Sequence, residues 1–163
     1  MDTLNANIQE YRVQLAKKQI QKAYLGIMTF MSGLSSTLAG RHPDFLVSGL
    51  YFGYMDMTYF AFTPTNLKNL KLKIAIVYLH EEGRFEAWLG GSNRQIQAEY
   101  IDKLSGKNIG SYKLSKVHPG VDSIIETILT ESPDFDRTDE LMKEIEDKTL
   151  QFVKDMTRLI ETG

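Results

Sequence analysis

KLKIAIVYLHEEGRFEAWLGGSN, residues 71–93, decides the fold. Two apolar runs, 72–80 and 84–89, flank a Glu82-Gly83 pair, and the second run closes on Gly90-Gly91. Short runs rich in Ile, Val, Tyr, Phe and Trp and bounded by glycine read as the two strands of an antiparallel hairpin. The spacing predicts a two-residue turn at Glu82-Gly83. Glu81 then stands opposite Arg84, His80 opposite Phe85, Leu79 opposite Glu86, Tyr78 opposite Ala87 and Val77 opposite Trp88. Side chains alternate across a strand. One face therefore carries Ile74, Ile76, Tyr78, His80, Phe85, Ala87 and Leu89, and the other Ala75, Val77, Leu79, Glu86 and Trp88. Both faces are apolar away from the turn, so helices must cover both, or a partner must cover one.

Upstream, residues 4–40 are helical in pattern. Leu4, Ile8, Tyr11 and Leu15 recur at spacings of three and four, and Ile20, Tyr24, Ile27, Met28, Met31, Leu34 and Leu38 repeat the pattern. Lys17-Lys18-Gln19 interrupts it, giving two helices or one kinked helix, and Gly40 and Pro43 stop it. Over residues 47–62 the period shifts towards two and aromatics crowd together, which suits a pleated surface. One long strand bulged at Gly49 and Gly53 is the favoured reading; a turn at Met55-Asp56 between two short strands is the other.

Downstream, Gly90-Gly91-Ser92-Asn93 opens a helix carrying Ile96, Tyr100, Ile101 and Leu104 and ending near Gly106. Residues 108–117 read as a short edge strand. Pro119 then opens a helix through Val121, Ile124, Ile125, Ile128 and Leu129, which Pro133 breaks. A last helix over 138–161 carries Leu141, Ile145, Phe152, Met156 and Leu159, with Glu144 and Lys148 as an i,i+4 pair. The order predicts one α+β domain over residues 1–163. In it a small antiparallel sheet of three to four strands is flanked by N-terminal and C-terminal helices.

Bulk composition narrows the function classes. The chain has 163 residues, a net charge of −2 and no cysteine. Thiolate catalysis, disulfides and cysteine-held metals are excluded, and a reducing cytoplasm suits the composition. No apolar run approaches the ~18 residues of a membrane span, and no signal segment opens the sequence, so no membrane partner is expected. Charge is uneven: residues 1–45 sum to +2, 46–119 to +3 and 120–163 to −7. The acidic third reads most simply as a solvated helical face. Basic and acidic residues interleave in the middle, which ranks a nucleic-acid partner last.

Four constellations could carry chemistry. The Gly90-Gly91-Ser92-Asn93 turn with Arg94 could hold an anion at a helix start, although Ser92 or Asn93 as an ordinary cap explains the same residues. Neither phosphate-loop nor dinucleotide glycine spacing is present. His80, Glu81, Glu82 and Glu86 crowd the hairpin tip, but His80 and Glu86 fall on opposite faces, and Glu81–Arg84 reads as a cross-strand ion pair. His42 and His118 precede prolines and have no ligand partner nearby in sequence. Asp56 sits among Tyr51, Tyr54, Met55, Met57 and Tyr59. There it is either a general base raised by burial or a turn residue.

A helix, three antiparallel strands and a helix also invite comparison with a metal-dependent nuclease core, which needs Glu-x-Lys on a strand to hold magnesium. Here that strand reads Glu86-Ala87-Trp88, and the lysine is missing.

The stretches GYMDMTYFAF at 53–62, LKIAIV at 72–77 and FEAWL at 85–89 resemble a family of small, uncharacterised bacterial proteins, catalogued as a domain of unknown function. The likeness extends over most of the first hundred residues, including IQKAY at 20–24 and NRQIQ at 93–97. It implies a bacterial, single-domain protein and carries no activity or catalytic residue.

The expected function is therefore a non-catalytic cytoplasmic binding or protein-interaction module that uses its aromatic-rich sheet region. It would act as a homodimer or on a small anionic or aromatic ligand. Tyr54, Asp56, Tyr59, Glu86, Trp88, Asn93 and Arg94 are the candidate contacts, with no metal and no cofactor called for. The alternative is an enzyme or degenerate enzyme with a cleft near Asp56, Glu86 and Arg94.

Overall fold

The computed structural model describes residues 2–162. Two helices, α1 (Leu4–Ala16) and α2 (Gln19–Arg41), lead into a sheet of five antiparallel strands in simple sequential order. The strands are β1 (Phe45–Val47), β2 (Met57–Pro64), β3 (Leu72–Leu79), β4 (Arg84–Gly91) and β5 (Ser123–Thr130). A short helix, α3 (Thr65–Asn69), joins β2 to β3; α4 (Arg94–Ser105) follows β4, and α5 (Thr138–Glu161) ends the fold.

The architecture is α+β, with one more strand than the upper expectation. Lys18 adopts a left-handed conformation and separates α1 from α2. The last helix falls on the predicted 138–161, and Lys148 lies 4.0 Å from Glu144.

The core lies on one side of the sheet. Phe60, Phe62, Ile74, Ile76, Tyr78, Phe85, Ala87 and Leu89 form that face. Phe30, Met31, Leu34 and Leu38 of α2 pack on it, with Leu141, Ile145, Phe152 and Met156 of α5. Ile74, Ile76, Tyr78, Phe85, Ala87 and Leu89 are residues that the alternation of the hairpin assigned to one face, and burying a large apolar side chain is worth about 1.5–3 kcal/mol. At the rim, Glu146 of α5 accepts from Arg41 at 2.6 Å and contacts His42 Nε2 at 2.8 Å, tying the end of α2 to α5.

Four sequence expectations are corrected. The β3–β4 connection is a four-residue loop, His80–Glu81–Glu82–Gly83, in which Gly83 takes φ +66° and its N–H reaches Leu79 O at 2.8 Å. The register therefore moves by two: Leu79 pairs with Arg84, Val77 with Glu86 and Ala75 with Trp88. An even shift leaves every side chain on its expected face. Arg84 pairs with Glu86 rather than Glu81, at 2.7 Å.

Residues 47–62 are not one bulged strand. β1 and β2 pair with each other, Val47 opposite Phe62, and the intervening loop turns where Gly53 and Met55 adopt positive φ. A side chain at position 53 would stand 2.0 Å from Met57 O, so only glycine fits there.

The segment after Pro119 forms β5 rather than a helix. Ile124, Ile125, Thr127, Ile128 and Thr130 are β-branched and prefer a strand. The register shift opposite Leu89 and Gly90 leaves Ile124 as an extra, bulged residue of β5, so Ile124 and Ile125 are both buried, which imitates helical spacing.

Residues 108–117 form no edge strand; the single bridge there joins Leu114 to Ile125.

Candidate functional site

The second face of the sheet carries small residues flanked by large ones. Across it run Tyr59, Val77 and Glu86, then Ala61, Ala75 and Trp88, then Lys73, Gly90 and Ser123. Ala75 and Gly90 leave a depression that Trp88 and Tyr59 wall. The result is a cavity of about 320 Å³, floored by Ala75 and Val77 and lined by Met57, Tyr59, Lys73 and Trp88. Its far end is closed by Asn93, Arg94 and Gln97 from the first turn of α4 and by Asp122 and Ser123 at the start of β5.

The glycine pair makes this closure possible. A Cβ on Gly91 would stand 2.7 Å from Gln97 N and 3.1 Å from Asn93 O, so only a bare backbone lets α4 begin against the end of β4. Asn93 caps the helix, its Oδ1 accepting from Ile96 N at 2.9 Å. Gln97 is buried and donates to Val121 O at 2.8 Å and Ser123 O at 2.9 Å, fixing the 121–123 backbone to α4. Arg94 reaches the same segment, donating to Val121 O and pairing with Asp122 at 3.1 Å.

The cavity's charge is mostly positive. Lys73 makes no ion pair among the described residues, whereas Arg94 shares its charge with the exposed Asp122. Tyr59 packs against Tyr51 with the rings tilted and their centres 4.9 Å apart. Burial, with Tyr51 and Asp122 nearby, pushes the Tyr59 phenol above its ordinary pKa, so it enters the site as a neutral hydroxyl.

Trp88 is held from behind. Glu86, 3 % exposed, accepts from Trp88 Nε1 at 2.8 Å on one carboxylate oxygen and from Arg84 Nε at 2.7 Å on the other. Arg84, Glu86 and Trp88 are alternate residues of β4 and so lie on one face.

Of the seven candidate residues, Tyr59, Trp88, Asn93 and Arg94 line the cavity, and Glu86 supports it from the adjoining row. Tyr54 and Asp56 stand outside it. Tyr54 is 89 % exposed. The Asp56 carboxylate accepts from Tyr54 N at 2.9 Å, closes the 53–56 turn, and is held below the usual carboxylate range by that backbone N–H first and by Met57's next. That is a turn-forming aspartate.

Lys73, Gln97, Asp122 and Ser123 escaped the sequence reading. Lys73 was recognisable as a lone cation in an apolar strand opposite Gly90. Asp122 and Ser123 became visible only once β5 was a strand.

His80 belongs elsewhere. Its N–H bonds Asp56 O at 3.0 Å, and its ring meets Tyr78 and Tyr24 on the α2 side, away from Glu86. Thr58 Oγ1 spends its only proton on Phe52 O at 2.7 Å, so the 2.9 Å contact makes His80 Nε2 the donor to Thr58.

No cluster of three His, Asp or Glu side chains able to hold a metal occurs among the described residues, and no helix there is long and apolar enough to cross a membrane.

A helix-backed antiparallel meander with a walled cavity on the sheet face away from α2 and α5 defines an α+β fold that carries a candidate ligand site. The chain belongs to the family described as a domain of unknown function (DUF7000), whose model matches residues 4–160. No curated protein and no solved structure matches the chain.

Proposed function

We propose that this chain is a single-domain, non-catalytic binding module whose free sheet face takes a small planar anion, an aromatic carboxylate. The cavity carries the reading: an indole and a phenol wall a floor of Ala75 and Val77, while Lys73 and Arg94 stand at its polar end. Aromatic walls offer stacking area and the cations offer charge-assisted hydrogen bonds to a carboxylate. A volume near 320 Å³ lies at the low end of the ~300–1,000 Å³ range of small-molecule sites and suits one or two rings.

The buried groups beside the cavity support binding rather than turnover. Both oxygens of Glu86 are engaged by Arg84 and Trp88, Gln97 is engaged by backbone carbonyls, and Asp56 is committed to its turn. A cleft uniting Asp56, Glu86 and Arg94, as the enzyme alternative requires, has no support in this arrangement. Cysteine-free composition and the family resemblance favour a bacterial cytoplasm, which fractionation of a native host would test.

Calorimetry with benzoate, against the neutral isostere benzyl alcohol, tests the ligand class. One site for benzoate, with little heat from the alcohol, is expected. Equal binding of the two, or binding unaltered in Lys73→Met together with Arg94→Met, would exclude an anion site here.

A further inference from the structure

We infer that the cavity is built for an aromatic aminocarboxylate, its carboxylate held by Lys73 and its amino group by Asp122. The inference rests on the reading of the cavity as an aromatic-carboxylate site and narrows it.

Two opposite charges meet over Gly90 without pairing. Lys73 and Ser123 stand on either side of Gly90 in the sheet register, and Asp122 directly precedes Ser123. The point where a Cβ of residue 90 would stand lies 3.4 Å from Asp122 O and 3.5 Å from Lys73 Cε. Glycine there keeps the space between the two open. Lys73 forms no ion pair with Asp122 or with any other carboxylate among the described residues. Asp122 Oδ1 pairs with Arg94 Nη2 at 3.1 Å, whereas its Oδ2 makes no hydrogen bond among the described residues.

Neighbouring polar groups are already engaged. Gln97 donates to Val121 O and Ser123 O, and Asn93 Oδ1 accepts from Ile96 N. The Ser123 hydroxyl donates to Glu126 Oε2 at 2.5 Å and therefore accepts from the Ser115 hydroxyl at 2.7 Å. Arg94 Nη1 donates to Val121 O and His118 O. Lys73 Nζ and Asp122 Oδ2 are thus the charged atoms of the lining with no protein partner.

A bare aromatic carboxylate answers only the lysine. It sets its own negative charge near Asp122 as well as near Lys73. That charge also reaches the aromatic wall, since burial first, and then Tyr51 and Asp122, raise the Tyr59 phenol. An amino group on the ring replaces the repulsion with a charge-assisted hydrogen bond, its N–H donating to Oδ2. Asp122 then selects in both directions, disfavouring acids without the amine and favouring those with it.

Calorimetry compares 2-aminobenzoate and 3-aminobenzoate with their methyl isosteres, 2-methylbenzoate and 3-methylbenzoate, in the wild type, Asp122→Ala and Lys73→Met. Asp122 is exposed, so its truncation should leave the melting temperature nearly unchanged. In the wild type at least one amine should bind about five-fold more tightly than its isostere, the worth of a charge-assisted bond reduced by exposure. Asp122→Ala should abolish that ratio. Lys73→Met should weaken amine and isostere alike and leave the ratio in place.

Amines that bind no more tightly than their isosteres, with benzoate still bound, would overturn this inference and leave the anion site standing. A ratio that persists in Asp122→Ala would overturn it as well, because the amine would then be held elsewhere. No binding of benzoate or of any of the four acids would remove both readings together.

Discussion

Glu86 Oε1 accepts the indole N–H of Trp88 at 2.8 Å, two residues along the same face of β4. This bond fixes the wall of the cavity by its edge and leaves the ring plane free for contact. The carboxylate is itself held by Arg84 at 2.7 Å, so a charged residue in an apolar face is fully employed.

Glu86→Gln removes the charge from that bridge while keeping its shape. Charge-assisted bonds to buried groups are worth about 1.5–3 kcal/mol each, and the partial exposure of Arg84 cuts this. A loss of about 2 kcal/mol in urea denaturation is expected, with faster Trp88 depolarisation. An indole as rigid as before would show that packing, not Glu86, holds it.

Asp122 competes for Arg94 at the mouth of the site, 3.1 Å away and exposed. Exposed pairs are worth up to ~1 kcal/mol. Asp122→Asn should therefore tighten benzoate binding about two- to five-fold, measured by calorimetry. Weaker binding would mean that Asp122 itself contacts the ligand.

Gly91→Ala should be costly and Gly26→Ala should not. The added carbon at 91 meets Gln97 N at 2.7 Å, whereas at 26, inside α2, nothing lies within 4 Å. Overpacking against backbone costs about 1–3 kcal/mol. Alanine for glycine in a helix interior gains roughly 0.5–1 kcal/mol. Thermal melts of the two variants should shift in opposite directions.

The hairpin tip sets an acid response. Burial depresses the His80 pKa in the folded chain below its ordinary 6.5, more than nearby Asp56 raises it. Folding therefore favours neutral imidazole. Its stability contribution is complete above pH ~6.5 and is lost as pH falls through the depressed value. Asp56, also lowered, keeps its contribution down to more acid pH, so the two losses separate. His80→Gln should flatten denaturation midpoints over the upper window only.

The legibility of this chain followed the strength of local pattern. Alternation in residues 72–89 identified both sheet faces even though the turn length was misread, because a two-residue slip preserves parity. The α5 stripe was legible since its spacing fits one period only. Ile124-Ile125 misled because a bulge buries two neighbours at once, and a bulge has no signature of its own in side-chain pattern. Part of the cavity was readable in the same way: Tyr59 stands in the aromatic run of β2, and Trp88, Asn93 and Arg94 lie on or just after β4 and its glycine pair, while Asp122 and Ser123 arrive through a long-range pairing.

Trp88 is the only tryptophan, so its fluorescence reports on this cavity alone, and a benzoate titration tests the binding proposal most directly. Saturable quenching with a dissociation constant below about 1 mM is expected, weakened roughly ten-fold in Lys73→Met by loss of a charge-assisted bond. Absence of saturable change with benzoate, phthalate and 4-hydroxyphenylacetate alike would contradict it.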